Sequence, residues 1–420
     1  MLFGIKLYLF RLQIYFLSWG NSVLMKKILV LTSRFPYPVV GGDRLRIHQL
    51  CKKLSENYDL TLISLCEKKS ELYLVPSDDV FSRIERIYLP KWRSYLNTLF
   101  AIFSNVPLQV AYYKSREISR RIELLGKDYD AILAHLIRTA DFVKNMPVVK
   151  FLEMTDSISM NYERFRKIPL SFLDFRQFVY LYEIKRLKKY EKKIVNFFDH
   201  TFLVSDVDVR YLFGNDALTG NVSVISNGVD LAGLEYCFDG TNENICFIGN
   251  LKSFQNFDAA LYFAKEVLPL IQKEKRNIVF YVVGRIDSKK AEILSRYNGV
   301  RVVGEVESIS ASVRDCAVGV CPVRLGAGIQ NKILEYMALG MPVVTSSVGL
   351  EGIKAIPGSD LLVADTPADM SLAIISLLGD REKAQKMAIN ARKYVEMHHN
   401  WSKSLFKLEE IFEKNLESSL

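Results

Sequence analysis

The sequence predicts an α/β protein in which two Rossmann-like, doubly wound parallel-sheet domains face one another across a cleft. Three observations predict this. A chain of 420 residues that is 49% hydrophobic exceeds one ordinary core and suffices for two. Short continuous apolar runs, the mark of parallel strands buried on both faces, alternate with segments of helical period. That alternation restarts after Asn227-Gly228-Val229-Asp230. No low-complexity tract interrupts the chain, and a charged content of 25% argues against long disorder.

The first strand is predicted at Ile28 to Thr32. A loop with Pro36, Pro38, Gly41 and Gly42 follows, then Ile47, Leu50, Cys51 and Leu54 at helical spacing, then a strand at Leu60 to Leu65. The unit is β-loop-α-β. Further strands are expected at Ile87 to Leu89, Ala131 to Ala134, Val148 to Leu152, Thr201 to Val204 and Val222 to Ile225. A long basic helix is expected over Phe172 to Phe197, carrying Lys185, Arg186, Lys188, Lys189, Lys192 and Lys193. In the second half, strands are expected at Ile245 to Ile248, Ile278 to Val283, Val300 to Val303, Val318 to Cys321, Val343 to Ser346 and Leu361 to Val363. The early helix there, Asp258 to Leu270, reads as capped by Asp258 and stopped near Pro269. Helices at about Arg381 to Met397 and Ser402 to Leu416 close the chain.

Met1 to Leu24 is apolar and aromatic, but Lys6 and Arg11 interrupt it and no small-residue cleavage site follows. It makes a poor signal peptide and a short span; an upstream misassigned start or an interfacial anchor fits better than a transmembrane helix. The scattered cysteines show neither a CxxC pair nor metal spacing, and most sit in apolar runs. Reduced thiols and a cytoplasmic setting are expected. Residues 1–229 carry 34 Lys and Arg against 23 Asp and Glu, while the remainder is slightly acidic. The basic half calls for an anionic partner.

In such a pair of open sheets, ligands bind at the carboxyl ends of the strands. The richest loop there is Arg324-Leu325-Gly326-Ala327-Gly328, continuing through Ile329, Gln330, Asn331 and Lys332 to Glu335, with the exit Leu339-Gly340-Met341-Pro342. Gly326 and Gly328 permit close backbone approach, and a helix starting near Ile329 aims free N–H groups at an anion. Lys332 and Glu335, three apart, share a helix face; a diphosphate and a ribose need that cation and that carboxylate. An isolated surface KxxE pair is the bland alternative, and the Gly-x-Gly start weighs against it.

This segment resembles the donor-binding block of the retaining family-4 glycosyltransferases, of GT-B fold. Glu335 falls on the second glutamate of their E-x7-E signature, which in the family hydrogen-bonds the donor ribose. The Arg-x-Gly-x-Gly-x-x-x-Lys variant, with Pro107 to Tyr113, is similar to a bacterial exopolysaccharide-associated subgroup. Arg34-Phe35-Pro36-Tyr37-Pro38 with Gly41-Gly42-Asp43 resembles the family's first-strand loop, and Asn227 to Asp230 its interdomain signature. Two positions depart: the first glutamate is Ala327, and the family's diphosphate-clamping Arg and Lys correspond to Asn250 and Gln255. Arg324 and Lys332 are the nearest replacements.

The resemblance implies an acceptor-side domain over 25–229, a donor-binding domain over 230–400, and a closing helix over 401–420 that packs back on the first. The expected donor-binding residues are Gly41, Gly42, Gly249, Asn250, Gly284, Arg324, Gly326, Gly328, Lys332 and Glu335. The expected catalytic residues are His135, Arg324, Lys332 and Glu335; His135 ends a strand where a family histidine often meets the transferred sugar. Arg138 and Asp156 are weaker candidates at comparable strand ends. Asp128-Tyr129-Asp130 precedes a strand and Asp206-Val207-Asp208 opens a helix, so both read as structural; no metal and no cofactor are expected. The implied activity is transfer of a sugar from a nucleoside diphosphate, a UDP- or GDP-sugar, to an acceptor hydroxyl with retention. The matching acceptor is a glycan or polyprenyl-linked saccharide, in exopolysaccharide or other surface-glycan synthesis. The basic helix and Trp92 to Phe103 point to docking on the inner face of the membrane. Competing readings are a nucleotide-sugar epimerase and a non-catalytic sugar-nucleotide-binding partner; nucleic acid is weakest, because the aromatics lack basic interleaving.

Overall fold

The computed structural model describes residues 25–166, 175–214, 220–236, 238 and 241–418. The predicted anchor at residues 1–24, the first part of the predicted basic helix and Cys237 lie outside them. The strands form two sheets, every pairing within them parallel. The first contains β1 (Lys27–Thr32), β2 (Asp59–Cys66), β3 (Arg83–Tyr88), β4 (Ala131–His135), β5 (Val149–Thr155), β6 (His200–Leu203) and β7 (Val222–Val224), in the order β3-β2-β1-β4-β5-β6-β7. The second contains β8 (Asn244–Ile248), β9 (Phe280–Val283), β10 (Val300–Gly304), β11 (Cys316–Cys321), β12 (Val343–Thr345) and β13 (Leu362–Val363), in the order β10-β9-β8-β11-β12-β13.

The continuous apolar runs behave as parallel strands must. All of β4 and β11 is buried, and β1 after its first residue. Strand order reverses between β1 and β4 in one sheet and between β8 and β11 in the other. The loops leaving those four strands therefore open at the switch points, where a crevice forms. Gly41, Gly42, His135, Gly249, Asn250, Arg324, Gly326 and Gly328 all lie there.

The chain crosses between the domains twice, at the segments around Asn227 and His399. Val229 N–H donates to the His399 carbonyl at 2.8 Å, and His399 Nδ1 donates to the Asn227 carbonyl at 2.8 Å. Gly228 is required here: a Cβ on it would stand 2.7 Å from Trp401 N and 2.8 Å from Trp401 Cα. Beyond this crossing, the helix Phe406–Glu417 lies on the first sheet, with Leu408, Phe412 and Leu416 in the same core as Val30, Phe151 and Phe202. The Phe412 and Phe151 rings stack at 3.8 Å. Each such buried side chain contributes about 1.5–3 kcal/mol.

The helix expected from Asp258 differs in both its ends. It begins at Phe254, capped by Ser253, whose hydroxyl accepts from Asn256 N–H. Asp258 sits in its second turn, free to act elsewhere. Pro269 does not stop the element, because the chain widens to an i→i−5 turn over Phe263–Val267 and resumes as Leu268–Glu274 with the proline in its first turn, where a missing N–H costs nothing. The basic helix is seen over Phe175–Ile194. No helix among the described residues is long and apolar enough to cross a membrane.

Candidate active site

Gly326 and Gly328 leave β11 with φ of 149° and 67°, and the loop packs against the first domain. A Cβ on Gly328 would stand 3.1 Å from Asp156 Cβ and 3.0 Å from Val204 Cγ1. The helix Asn331–Ala338 then begins without a side-chain cap, so its first N–H groups remain available to an anion. From the other side, Gly42 approaches the same helix start: its Cβ would lie 3.8 Å from Asn331 Nδ2. The glycines of both loops thus meet at one helix N-terminus.

Lys332 is only 7% exposed. Its ammonium donates to Gln330 Oε1 at 3.0 Å and lies 5.5 Å from the Phe247 ring centre. The surface KxxE alternative therefore fails, since the lysine points inward and away from a pairing with Glu335. No described group hydrogen-bonds the Glu335 carboxylate, which lines a cavity of about 200 Å3 together with Leu45, Gly228, Ile309 and Asn331. Burial raises its pKa, and the charge of Lys332 opposes the rise.

Arg324 is placed differently from Lys332. It forks onto Asp258 at 2.6 and 3.2 Å and stacks 4.7 Å from the Tyr262 ring centre, so its charge is compensated in place. Asn250 is turned into its own loop, its Oδ1 accepting from Lys252 N–H at 3.2 Å. Gln255 bridges the cleft, donating to Asn161 Oδ1 at 2.7 Å. Gly249 and Gly284 have a packing reason: a Cβ on Gly284 would lie 2.0 Å from the Gly249 carbonyl oxygen. The structure therefore gathers Gly42, Gly326, Gly328, Lys332 and Glu335, while Arg324, Asn250 and Gly284 serve neighbouring contacts.

Across the cleft, His135 ends β4 with 4% exposure, and its Nε2 has no hydrogen-bond partner among the described residues. Burial draws its pKa down to about 4, against the pull of Glu153 and Asp43, so the ring is neutral near pH 7 and its Nε2 is a buried nitrogen without a partner among the described residues. The backbone is strained on both sides: Leu136 and Thr155, at the ends of β4 and β5, each have φ of 66°. Such conformations concentrate at working sites. Asp156, next along, is pushed up to about 7 by burial and then by Asp208. Both D-x-D triplets are structural in use. Asp130 accepts from Lys27 N–H at 2.7 Å, Asp208 from Ser157 N–H at 2.8 Å, and Asp206 pairs with Lys354 at 2.9 Å.

Sequence reasoning missed the network beneath the cleft. Arg46, 1% exposed, donates to both Glu153 carboxylate oxygens at 2.7 and 3.1 Å and to Asn227 Oδ1 at 2.7 Å. Asn227 in turn donates to Asn331 Oδ1 at 2.7 Å. The interdomain Asn is thereby tied to the helix that starts the anion site. Arg164 adds a second tie, donating to the Gly326 carbonyl and pairing with Glu351. Only the Asn227-Gly228 motif signalled any of this in the sequence.

Residues 242–380 match the family model for group 1 glycosyl transferases. A 44.6 kDa protein in the cps region of Klebsiella pneumoniae is 25% identical over 406 residues, covering 93% of this chain and all of that one. Among solved structures, the sucrose-phosphate synthase of Thermosynechococcus elongatus superposes with a TM-score of 0.72 at 15% identity, covering 94% of this chain and 100% of that one. Anabaena HepE, solved with UDP and glucose, superposes at 0.63 with 13% identity, covering 92% and 99%. The fold is GT-B. The family model over the second half and the relatives of full length together support a glycosyltransferase.

Proposed function

We propose that the chain transfers a sugar from a nucleoside diphosphate to an acceptor hydroxyl with retention, as part of surface-polysaccharide synthesis. The observation that carries this reading is the convergence of Gly42, Gly326 and Gly328 on an uncapped helix start, with buried Lys332 behind it and an unpartnered Glu335 beside it. The diphosphate sits on the helix N–H groups and Lys332, and Glu335 takes the ribose hydroxyls. Charge that develops on the departing diphosphate is met by groups already oriented for it. The bond from the anomeric carbon to the phosphate oxygen breaks, the acceptor oxygen bonds from the same face, and its proton passes to the leaving phosphate. Neutral His135 holds a hydroxyl of the transferred sugar. No divalent ion is required, because the helix and lysine supply the positive charge.

HepE was solved with UDP and glucose, which favours a UDP-sugar here, and the relative from a cps region favours a surface glycan. A lipid-linked acceptor fits the outer surface of the first domain. There Trp92, Leu99, Phe100 and Phe103 stand 56–95% exposed, with Phe178 at 67% on the helix Phe175–Ile194 beside them. Arg186 of that helix donates to the carbonyls of Ala101 and Val106 at 2.8 and 2.6 Å, so the two segments form one face. A patch of this kind beside basic side chains suits an anionic bilayer.

The test is nucleoside diphosphate release from a panel of UDP-, GDP- and ADP-sugars. Slow release from one donor, without interconversion of its sugar, supports transfer. Interconversion without release would make the protein an epimerase, and binding with neither would make it a non-catalytic partner.

A further inference from the structure

A second cavity, of about 340 Å3, opens at the carboxyl end of the first sheet, away from the Gly-rich loop and reached from β1, β2 and β4; its polar lining includes Arg34, Glu67, Gln109, Tyr113, Arg138 and Tyr162. The two arginines are not equivalent. Arg34 donates to the Tyr113 hydroxyl at 3.1 Å and has Glu67 at 3.5 Å and Asp43 at 3.8 Å, so its charge is balanced. Arg138 instead donates twice to the neutral Gln109 Oε1, at 3.1 and 3.0 Å, and packs over the Tyr113 ring at 5.2 Å. Among the described residues no carboxylate pairs with it.

Arg138 is held in place with care. The Gln109 amide that accepts from Arg138 donates from its other end to the Tyr162 hydroxyl, and the Tyr113 hydroxyl donates to Glu67 at 3.1 Å. A half-buried guanidinium held by neutral hydrogen-bond partners, with no carboxylate in ion-pair range among the described residues, is a poor structural choice unless an anion arrives. The planar fork suits phosphate or carboxylate, and the tyrosine rings offer flat faces to a sugar. Arg138 lies one turn after His135, so the cavity borders the end of β4 where His135 sits.

We propose that this cavity binds the acceptor, and that the acceptor is an anionic saccharide whose negative group sits on Arg138. This deepens the transferase reading and rests on it. The negative group has two chemical sources, the diphosphate of a lipid-linked saccharide or the carboxylate of a uronic acid. The cavity wall includes Thr98 and Val179, from the two segments whose outer faces form the exposed apolar patch, so a lipid carrier has a continuous path to it.

The experiment titrates the full-length protein with three probes: farnesyl-diphosphate-linked N-acetylglucosamine, a glucuronate-terminated disaccharide, and neutral cellobiose. UDP-sugar binding is measured in parallel. One anionic probe is expected to bind at least about tenfold more tightly than cellobiose, and which one names the source. Arg138→Gln is expected to remove that preference while UDP-sugar binding, which reports an intact fold, persists; Arg138→Lys restores part of it. Equal binding of cellobiose, no binding of either anionic probe, or an unchanged preference in Arg138→Gln overturns the proposal. Loss of the donor reading is separable: wild-type protein that binds an anionic probe but no sugar nucleotide keeps the anionic site and discards the transferase.

Discussion

Lys332 and Glu335 are one turn apart yet do not pair: the lysine turns inward to Gln330, and the glutamate lines the cavity beside Leu45 and Asn331. Lys332→Ala would remove the proposed charge-assisted contact to the diphosphate, of a kind worth about 1.5–3 kcal/mol, so donor affinity is expected to fall about 10- to 100-fold by calorimetry. His135→Ala is expected to lower turnover more than donor affinity, since in the proposed reaction the ring meets only the transferred sugar; kinetics resolved into kcat and KM check this. Asp156 gives a pH signature. Its pKa is raised to about 7, chiefly by burial and then by Asp208, so the folded state holds a proton that the unfolded chain, with an ordinary carboxylate, releases. Its contribution to stability is therefore complete below about pH 4 and is lost as pH rises toward 7. Asp156→Asn should raise the melting temperature relative to wild type at pH 8, with the difference shrinking at pH 4. The glycines and the Lys332, Glu335 spacing were legible because local backbone freedom and helix period are written in neighbouring residues. The direction each side chain takes was not: Arg324 belongs to Asp258, 66 residues away.

At the scale of elements, the strands were legible because a parallel strand buried on both faces must be apolar without interruption, and β4 and β11 are. The 254–274 region was misread because Ser253 outcompetes Asp258 as a cap and a widened turn accommodates Pro269. The helix Lys91–Ala101 shows the reverse case, a sequence feature whose exposure only the structure displays. It presents Trp92 and Phe100 to solvent, followed by Phe103 at 95% exposure. The double substitution Phe100→Glu, Phe103→Glu removes no core contact, so the melting temperature is expected to hold while co-flotation with vesicles containing phosphatidylglycerol is lost. Retained flotation would remove the membrane from the account.

For the molecule as a whole, an ion pair buried in the first domain is tied to the second domain through Asn227, which donates to Asn331. Arg46, Glu153 and Asn227 come from three distant segments, with 107 and 181 residues between the bonded partners, which no local pattern records. Breaking a buried pair leaves the remaining charge unmatched, at a cost of about 3–5 kcal/mol. Glu153→Leu should lower the urea midpoint accordingly, followed by far-ultraviolet circular dichroism, and should affect both domains because Asn227 links the pair to Asn331. Gly228 at the crossing tolerates no side chain against Trp401, which gives this glycine of the interdomain motif a packing role.

The central claim is that the 326–335 segment holds a nucleotide sugar, and calorimetric titration of UDP-glucose, GDP-mannose and ADP-glucose into wild type, Lys332→Ala and Glu335→Ala tests it most directly. Saturable binding of one of them to the wild type is expected, weakened about tenfold or more by each substitution in a protein of unchanged fold. Binding that both substitutions leave intact, or no binding of any sugar nucleotide to the wild type, would contradict it.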